Sequence, residues 1–331
     1  HAPRQAIRPE LGPVAAAHQA RRRGTVRLSS ADSGAELRYD NRVAVVTGGG
    51  RGLGRAYALL LAARGAKVVV NDVDDGPARD VAAEINTAGG EAIPCTESVT
   101  TPAGGQAIVG AALDHFGRID VLVHNAGNVR RASLRDISYE DFDAVLDVHL
   151  RGAFHVVRPA FPLMCDAGYG RIVLTSSIGG LYGNHEVANY AVAKAGVIGL
   201  SNVAAIEGAS RGVRSNVIVP AAVTRMAEGI DTSAYPPMGP DLVAPAVAWL
   251  AHESCSVTGE MLIALAGRVA SAVVAETPGI YRPSWSIEDV AANIDAIRDD
   301  TAPLVFPVVP DGHNDHIRYS FRMATSGANH V

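Results

Sequence analysis

The sequence predicts an α/β domain built on a doubly wound parallel sheet, and three observations carry that prediction. Short blocks of consecutive apolar, mostly β-branched residues recur at Val43 to Val46, Val68 to Val70, Val121 to Val123, Ile172 to Leu174 and Val217 to Val219. Helical stretches separate them. Several of the blocks end in small or polar residues. Strands buried on both faces read as unbroken apolar runs, and their alternation with helices implies a sheet covered on both sides. Of the 331 residues, 48% are hydrophobic, enough for a large core. The apolar blocks stay well short of the roughly 18 residues of a membrane span, so no membrane partner is expected. The formal net charge of −5 offers no basic surface for nucleic acid. Cys95, Cys165 and Cys255 are odd in number and far apart. They argue against a disulfide framework and a cysteine zinc site, fit a reducing compartment, and lead us to expect a cytoplasmic protein.

Residues 1–38 are rich in Ala, Arg and Pro and carry no apolar period. They read as a disordered or artificially added arm rather than an Arg-rich targeting peptide. A start at His1 suits processing or an expression artefact. Residues 39–270 hold the domain. Val43 to Val46 is a strand leading into a glycine-rich turn, followed by a helix over Arg55 to Arg64. Further helices are expected over Pro77 to Ala88, Thr101 to Phe116, Tyr139 to Asp166, Ala188 to Ala209 and Asp241 to His252, with Met261 to Leu265 as the last strand. Residues 271–331 read as an extension packed on the same body. In it, Trp285 to Asp299 predicts one helix capped by Ser286, Pro303 to Pro310 an extended chain, and the alternation around Tyr319 and Phe321 an edge or interface segment. His313, Asp315 and His316 are metal-ligating types at no recognised spacing, so no metal is expected.

The turn Thr47-Gly48-Gly49-Gly50-Arg51-Gly52-Leu53-Gly54 follows a strand and opens a helix. In that setting Gly48 permits the sharp turn, Gly52 lets the backbone approach a pyrophosphate, and Gly54 allows close helix packing. The free N–H groups and dipole of the helix favour an anion. Asp72 closes the second strand about 20 residues on, where a carboxylate bonds ribose hydroxyls and repels a 2′-phosphate. It favours NAD over NADP. Arg51 pulls the other way, since a guanidinium there can receive that phosphate. At the end of another buried strand, His124-Asn125-Ala126-Gly127 offers small residues beside a cofactor and an Asn side chain able to lock neighbouring strands.

Tyr190 and Lys194 lie four residues apart in a helical stretch and so share a face. A tyrosine hydroxyl is a poor base at neutral pH, and a nearby ammonium favours the phenolate. Tyr190 is then placed to exchange a hydroxyl proton during hydride transfer. Ser177 follows the strand Ile172 to Leu174, where its hydroxyl can bond a substrate oxygen.

Together Thr47-Gly48-x-x-x-Gly52-x-Gly54, Asn125-Ala126-Gly127, Ser177 and Tyr190-x-x-x-Lys194 resemble the short-chain dehydrogenase/reductase family over about Tyr39 to Gly267. The resemblance implies a Rossmann fold and interconversion of a small-molecule alcohol and ketone by Ser177, Tyr190 and Lys194. It also implies cofactor contacts at Leu53, Ser98, Val99, Pro220, Val223 and Thr224, a mobile substrate lid over 223–240, and a homodimer or homotetramer built on the helices holding His149 and Tyr190. The segments Val68 to Asp72, Asp147 to Gly152, Tyr182 to Asn184 and His252 to Cys255 are similar to the (3R)-hydroxyacyl-CoA dehydrogenase group of peroxisomal multifunctional enzymes, which also act on 17β-hydroxysteroids. This likeness implies a stand-alone NAD-linked dehydrogenase of hydroxyacyl-CoA or steroid alcohols. The sequence departs from the family at three places. His149 stands where an Asn is usual, its backbone holding a relay water; the narrower group shares this His, and a catalytic role and simple packing are both open. Pro220-Ala221 replaces Pro-Gly. Glu97 and Ser98 stand where an Asp usually helps place adenine. Two alternatives remain: an NADPH-dependent 3-oxoacyl-acyl-carrier-protein reductase, and a dinucleotide-binding scaffold without turnover.

Overall fold

A computed structural model describes residues 36–223 and 236–327. The arm read at 1–38 lies almost wholly outside the described residues, as do Thr224 and most of the lid region. Within them, eight strands form one sheet in the order β3-β2-β1-β4-β5-β6-β7-β8. These are β1 (Val43–Thr47), β2 (Lys67–Asn71), β3 (Glu91–Cys95), β4 (Val121–His124), β5 (Gly170–Thr175), β6 (Val213–Ala221), β7 (Met261–Leu265) and β8 (Arg268–Ala272). All pairs are parallel except β7 with β8. The chain order doubles back at β1, which pairs β2 on one side and β4 on the other. That switch point opens a crevice beyond the carboxyl ends of β1 and β4, where ligands bind in such sheets.

Strands β1, β2 and β4 alternate their side chains between two cores. Ala44, Val46, Val68 and Val70 face one side, packed by Leu61 of α1 (Gly52–Ala63) and by Val247 and Leu250 of α8 (Ala244–Ala251). Val43, Val45, Val69 and Leu122 face the other, packed by Ile108 of α3 (Pro102–Phe116), Val156 and Met164 of α5 (Gly152–Asp166) and Val197 of α7 (Ala188–Gly208). The remaining helices of this body are α2 (Asp75–Thr87), α4 (Tyr139–Leu146) and the short α6 (Ile178–Tyr182). Among the described residues, no helix is long and apolar enough to cross a membrane.

The structure corrects the sequence reading in several places. Strand β3 has no distinct apolar signal because it is an edge strand: Pro94 removes a donor, which an edge tolerates. Met261–Leu265 is not the last strand; it turns through Ala266 and Gly267 into antiparallel β8. The expected helix over Tyr139 to Asp166 is interrupted by a π-helical turn at Asp147–Arg151. Trp285 to Asp299 holds two short helices, α9 (Ile287–Ala292) and α10 (Ile294–Ile297). Ser286 caps α9 as expected, in a reciprocal box with Asp289. The segment around Tyr319 and Phe321 is not an edge strand but helix α11 (Gly312–Gly327). There Tyr319 and His316, three residues apart on one face, meet the ring of Phe306.

Candidate active site

The glycine turn sits at the switch point. Gly48 (φ +62°) and Gly52 (φ +52°) both hold left-handed backbone, which favours glycine. A Cβ on Gly54 would lie 2.0 Å from the Gly48 carbonyl oxygen, and one on Gly50 would lie 2.8 Å from the Asp72 carboxylate. No side chain caps the start of α1, so its first-turn N–H groups, from Gly52 through Leu53 to Gly54, take no bond from Arg51. This is a backbone cradle of the kind that receives a phosphate. Asp72 lies over the turn, accepting the N–H of Gly50 (3.1 Å) and of Asp74 (3.1 Å). The guanidinium of Arg51 is paired with the Asp74 carboxylate. Asn125 donates to the Gly48 carbonyl (3.2 Å), which locks β4 to the turn. Thr47 completes the lock: its Oγ1 accepts the N–H of Asn125 (3.1 Å) and Ala126 (3.2 Å). A Cβ on Gly127 would strike the His149 ring at 2.4 Å.

Ser177, Tyr190 and Lys194 come together beyond the carboxyl end of β5. Ser177 caps α6, accepting the Gly179 N–H (3.1 Å). Burial raises the Tyr190 hydroxyl above its ordinary pKa, while its hydrogen bond with Ser177 and the charge of Arg131 lower it. Lys194 stands beside the tyrosine. Its Nζ lies 5.6 Å from the Tyr190 ring centroid and donates to the Thr175 carbonyl (2.6 Å). Buried to 2% exposure, Lys194 is pushed by desolvation down to about 7. The tyrosine is aimed by Asn189, whose side chain donates to the carbonyls of Arg130 (3.1 Å) and Asp141 (3.0 Å) and accepts the Tyr190 N–H (2.7 Å). Ser176 ties β5 to α7 by donating to the Lys194 carbonyl (2.6 Å).

His149 sits in the π-helical turn, buried, with its ring 5.2 Å edge-on from Tyr190. Its Nε2 lies 3.0 Å from the Asn128 nitrogen and 2.8 Å from the Asn128 oxygen. Burial, and after it the Lys194 charge, push its pKa well down, so the ring is neutral. π-turns of this kind concentrate at functional sites.

The other expected cofactor contacts lie just after β3 and at the carboxyl end of β6. Ser98 exchanges a hydrogen bond with Thr100 (2.9 Å). The Val99 side chain is buried in the core, and its carbonyl meets His155 Nδ1 (2.9 Å). Pro220 pairs with Ala264 at the end of β6, and Val223 donates to the Met238 carbonyl (2.7 Å) across the edge of the lid region. His316 meets Glu276 (3.0 Å), and Asp315 pairs with Arg318 (2.5 Å). The sequence reading missed Thr47 as a hydrogen-bonding hub, Asn189, and Asn71, which donates to the Cys95 (3.0 Å) and Glu97 (2.8 Å) carbonyls. The signals were slight: Thr47 opens the glycine motif, and Asn71 and Asn189 stand next to Asp72 and Tyr190.

A cradle at the switch point with a Tyr–Lys pair over the neighbouring strand ends defines a dinucleotide-binding α/β oxidoreductase. Comparison with known proteins agrees: residues 42–233 match the short chain dehydrogenase family, and the chain belongs to it. It is 46% identical to the peroxisomal multifunctional enzyme type 2 of Drosophila melanogaster over 285 residues, which span 81% of this chain and 47% of that protein. It thus spans about half the length of that relative. It is 41% identical to a putative short-chain type dehydrogenase/reductase of Mycobacterium tuberculosis, covering 78% of this chain and 94% of that one. A crystal structure of a short chain dehydrogenase from Mycobacterium avium superposes with a TM-score of 0.71 at 38% identity, over 78% of this chain and 94% of the other. The family takes its name from dehydrogenase activity, and the relative from Mycobacterium tuberculosis is named a dehydrogenase/reductase.

Proposed function

We propose that this chain catalyses NAD-linked oxidation of a 3-hydroxyacyl-CoA at its hydroxyl carbon, with Ser177, Tyr190 and Lys194 as the catalytic set. The observation that carries the chemistry is their convergence beside the glycine cradle. A bound nicotinamide would supply the hydride acceptor for the carbinol carbon. Ser177 accepts the Gly179 N–H with one lone pair and keeps its hydroxyl hydrogen for Tyr190 or the substrate oxygen. Tyr190 takes the hydroxyl proton in oxidation and returns it in reduction. Lys194 steadies the developing negative charge and holds the nicotinamide ribose. Gly48, Gly52, Leu53 and Gly54 receive the pyrophosphate, and Asn125, Ala126 and Gly127 flank the cofactor. Ser98, Val99, Pro220 and Val223 complete its contacts. The acyl-CoA reading is supported by the segment likeness noted above and by the relative named as a multifunctional enzyme. Screening 3-hydroxyacyl-CoAs, hydroxysteroids and simple secondary alcohols with NAD tests it. Turnover confined to steroids or simple alcohols sinks the acyl-CoA assignment.

The preference for NAD rests on Asp72 lying over the turn while Arg51 is engaged by Asp74. Asp72→Ala is expected to raise the KM for NAD about tenfold, the worth of one charged hydrogen bond, and to admit NADP. Equal use of both cofactors by the unaltered chain contradicts this and favours the acyl-carrier-protein reductase reading.

The raised pKa of Tyr190 sets a pH dependence. The base form needed for oxidation appears only as pH climbs, whereas the acid form needed for reduction is present throughout the neutral range. Oxidation kcat/KM is therefore expected to rise between about pH 6 and 9 while reduction stays flat. A profile with oxidation falling over that span contradicts the role of Tyr190.

Exposed Phe154 on α5 and Val192, Val203 and Ile206 on α7 support a homodimer or homotetramer through these helices. Sedimentation should give a multiple of the 34.4 kDa chain. Free Cys95, Cys165 and Cys255 support a reducing compartment. We infer the cytoplasm from them, whereas the Drosophila relative is named peroxisomal.

A further inference from the structure

The chain between β4 and α4 runs along the segment that leads into Tyr190, and hydrogen bonds pin it there. Asn128 opens the passage. Its backbone nitrogen and oxygen lie 3.0 and 2.8 Å from His149 Nε2, and its side chain donates to the Ala144 carbonyl of α4 (3.1 Å). Further on, the Arg130 carbonyl accepts the Asn189 side chain (3.1 Å), and the Ala132 N–H donates to the Glu186 carbonyl (3.1 Å). Ala132 and Val187 form a parallel bridge. Asn189 also accepts the N–H of Tyr190 (2.7 Å). Arg131 therefore stands between two residues that are both fastened to the approach to the catalytic tyrosine.

The charges around it are otherwise matched. Arg130 pairs with Asp141 (3.6 Å), Arg151 pairs with Asp143 (3.4 Å) and with Asp147, and Asp136 accepts the Ser133 hydroxyl. Among the described residues no carboxylate pairs with Arg131, which is exposed. Its charge is felt in the site: the Tyr190 hydroxyl, raised by burial and lowered by Ser177, is lowered further by Arg131. A guanidinium is a planar fork of donors, always charged and without an acceptor of its own. A 3-hydroxyacyl thioester brings it a partner. The thioester carbonyl oxygen lies two carbons from the carbinol that Tyr190 serves, so a cation flanking the tyrosine meets it when the hydroxyl is in place. A simple secondary alcohol has no oxygen there.

We propose that Arg131 is a specificity-determining residue: held beside Tyr190 by the backbone bonds of Arg130 and Ala132, its guanidinium donates to the thioester carbonyl of the substrate and selects alcohols that are oxygenated two carbons away. The same oxygen is present in the 3-oxoacyl product, because only the carbinol carbon changes oxidation state. The contact is thus made before, during and after hydride transfer, and it contributes to binding rather than to lowering the barrier. This inference rests on the acyl-thioester reading proposed above.

Reduction isolates this role, because Tyr190 keeps its proton near neutral pH with or without the Arg131 charge. The full chain and its Arg131→Ala variant are compared at pH 7 with NADH and two substrates. One is acetoacetyl-CoA; the other is acetoacetyl-N-acetylcysteamine, a thioester without phosphates. An exposed side chain outside any ion pair is removed at little cost in stability, so the variant folds. Its KM is expected to rise at least about tenfold for both esters, the worth of one charged hydrogen bond, with kcat within about threefold. An unchanged KM for both esters overturns the proposal. So does a rise confined to the CoA ester, which puts Arg131 on the phosphates. A loss carried by kcat alone also overturns it, since Arg131 then acts on Tyr190 and not on the substrate. If the unaltered chain reduces neither ester, the thioester reading itself fails and takes this inference with it, an outcome distinct from the other three.

Discussion

Tyr190→Phe is expected to lower kcat at least about a thousandfold and to leave the affinity for NAD within about twofold. The size follows from what the hydroxyl does: positioned acid–base groups contribute roughly 10²- to 10⁴-fold. The selectivity follows from the geometry. Phenylalanine keeps the ring that packs edge-on to His149 at 5.2 Å and the backbone N–H that Asn189 holds at 2.7 Å. The glycine turn and Asp72 are untouched. Steady-state kinetics and calorimetric titration with NAD read the two quantities separately. Surviving turnover would remove Tyr190 as the proton carrier, and lost NAD binding would mean that the phenol holds the cofactor.

The second large effect concerns stability. Arg171→Ala is expected to destabilise the fold by about 3 kcal/mol or more, because it strips donors from several buried carbonyls at once. At 5% exposure, Arg171 donates to the carbonyls of His252 (3.1 Å), Gly170 (2.9 Å), Gly212 (3.2 Å) and Glu253 (3.1 Å). Its guanidinium also lies 4.4 Å from the centre of the Tyr169 ring, and Arg42 covers that ring at 3.7 Å. Beside them the buried Asp120 carboxylate accepts the Val43 N–H (2.9 Å) and pairs with Arg42 and Arg118. For a domain this large, 3 kcal/mol lowers Tm by roughly 6 to 12 °C. Arg211→Ala is the control: its pairing with Asp166 at 3.4 Å is exposed and should change stability by less than about 0.5 kcal/mol. Denaturation that treats the two variants alike would contradict the account of Arg171.

Arg171 also marks where the sequence stops being readable. The doubly wound sheet is legible because strands buried on both faces must be apolar throughout, and Val43 to Val46 or Val121 to Val123 admit no other reading. An arginine opening β5 carries no sign that it will be buried, because its partners are carbonyls from remote parts of the chain. Strand β3 hid for a related reason: with Glu91 and Pro94 it satisfies only the weaker demands of an edge. The π-turn at His149 is invisible to a 3.6-residue period, which the flanking helices satisfy on either side. In α11 the alternation of Tyr319 and Phe321 suggested period two, whereas the contacts run at helical spacing. Within the site, the glycine turn, Ser177, Tyr190 and Lys194 were legible because chemistry restricts residue type at fixed spacing. The roles of Thr47 and Asn189 were not, since each acts through hydrogen bonds that only the folded chain assembles.

The central claim is tested most directly by following NADH formation on mixing the full chain with NAD and a (3R)-3-hydroxyacyl-CoA. The account predicts turnover with NAD that exceeds turnover with NADP and is lost in Tyr190→Phe. Turnover that persists in Tyr190→Phe, or none at all with NAD and any 3-hydroxyacyl-CoA, would contradict it.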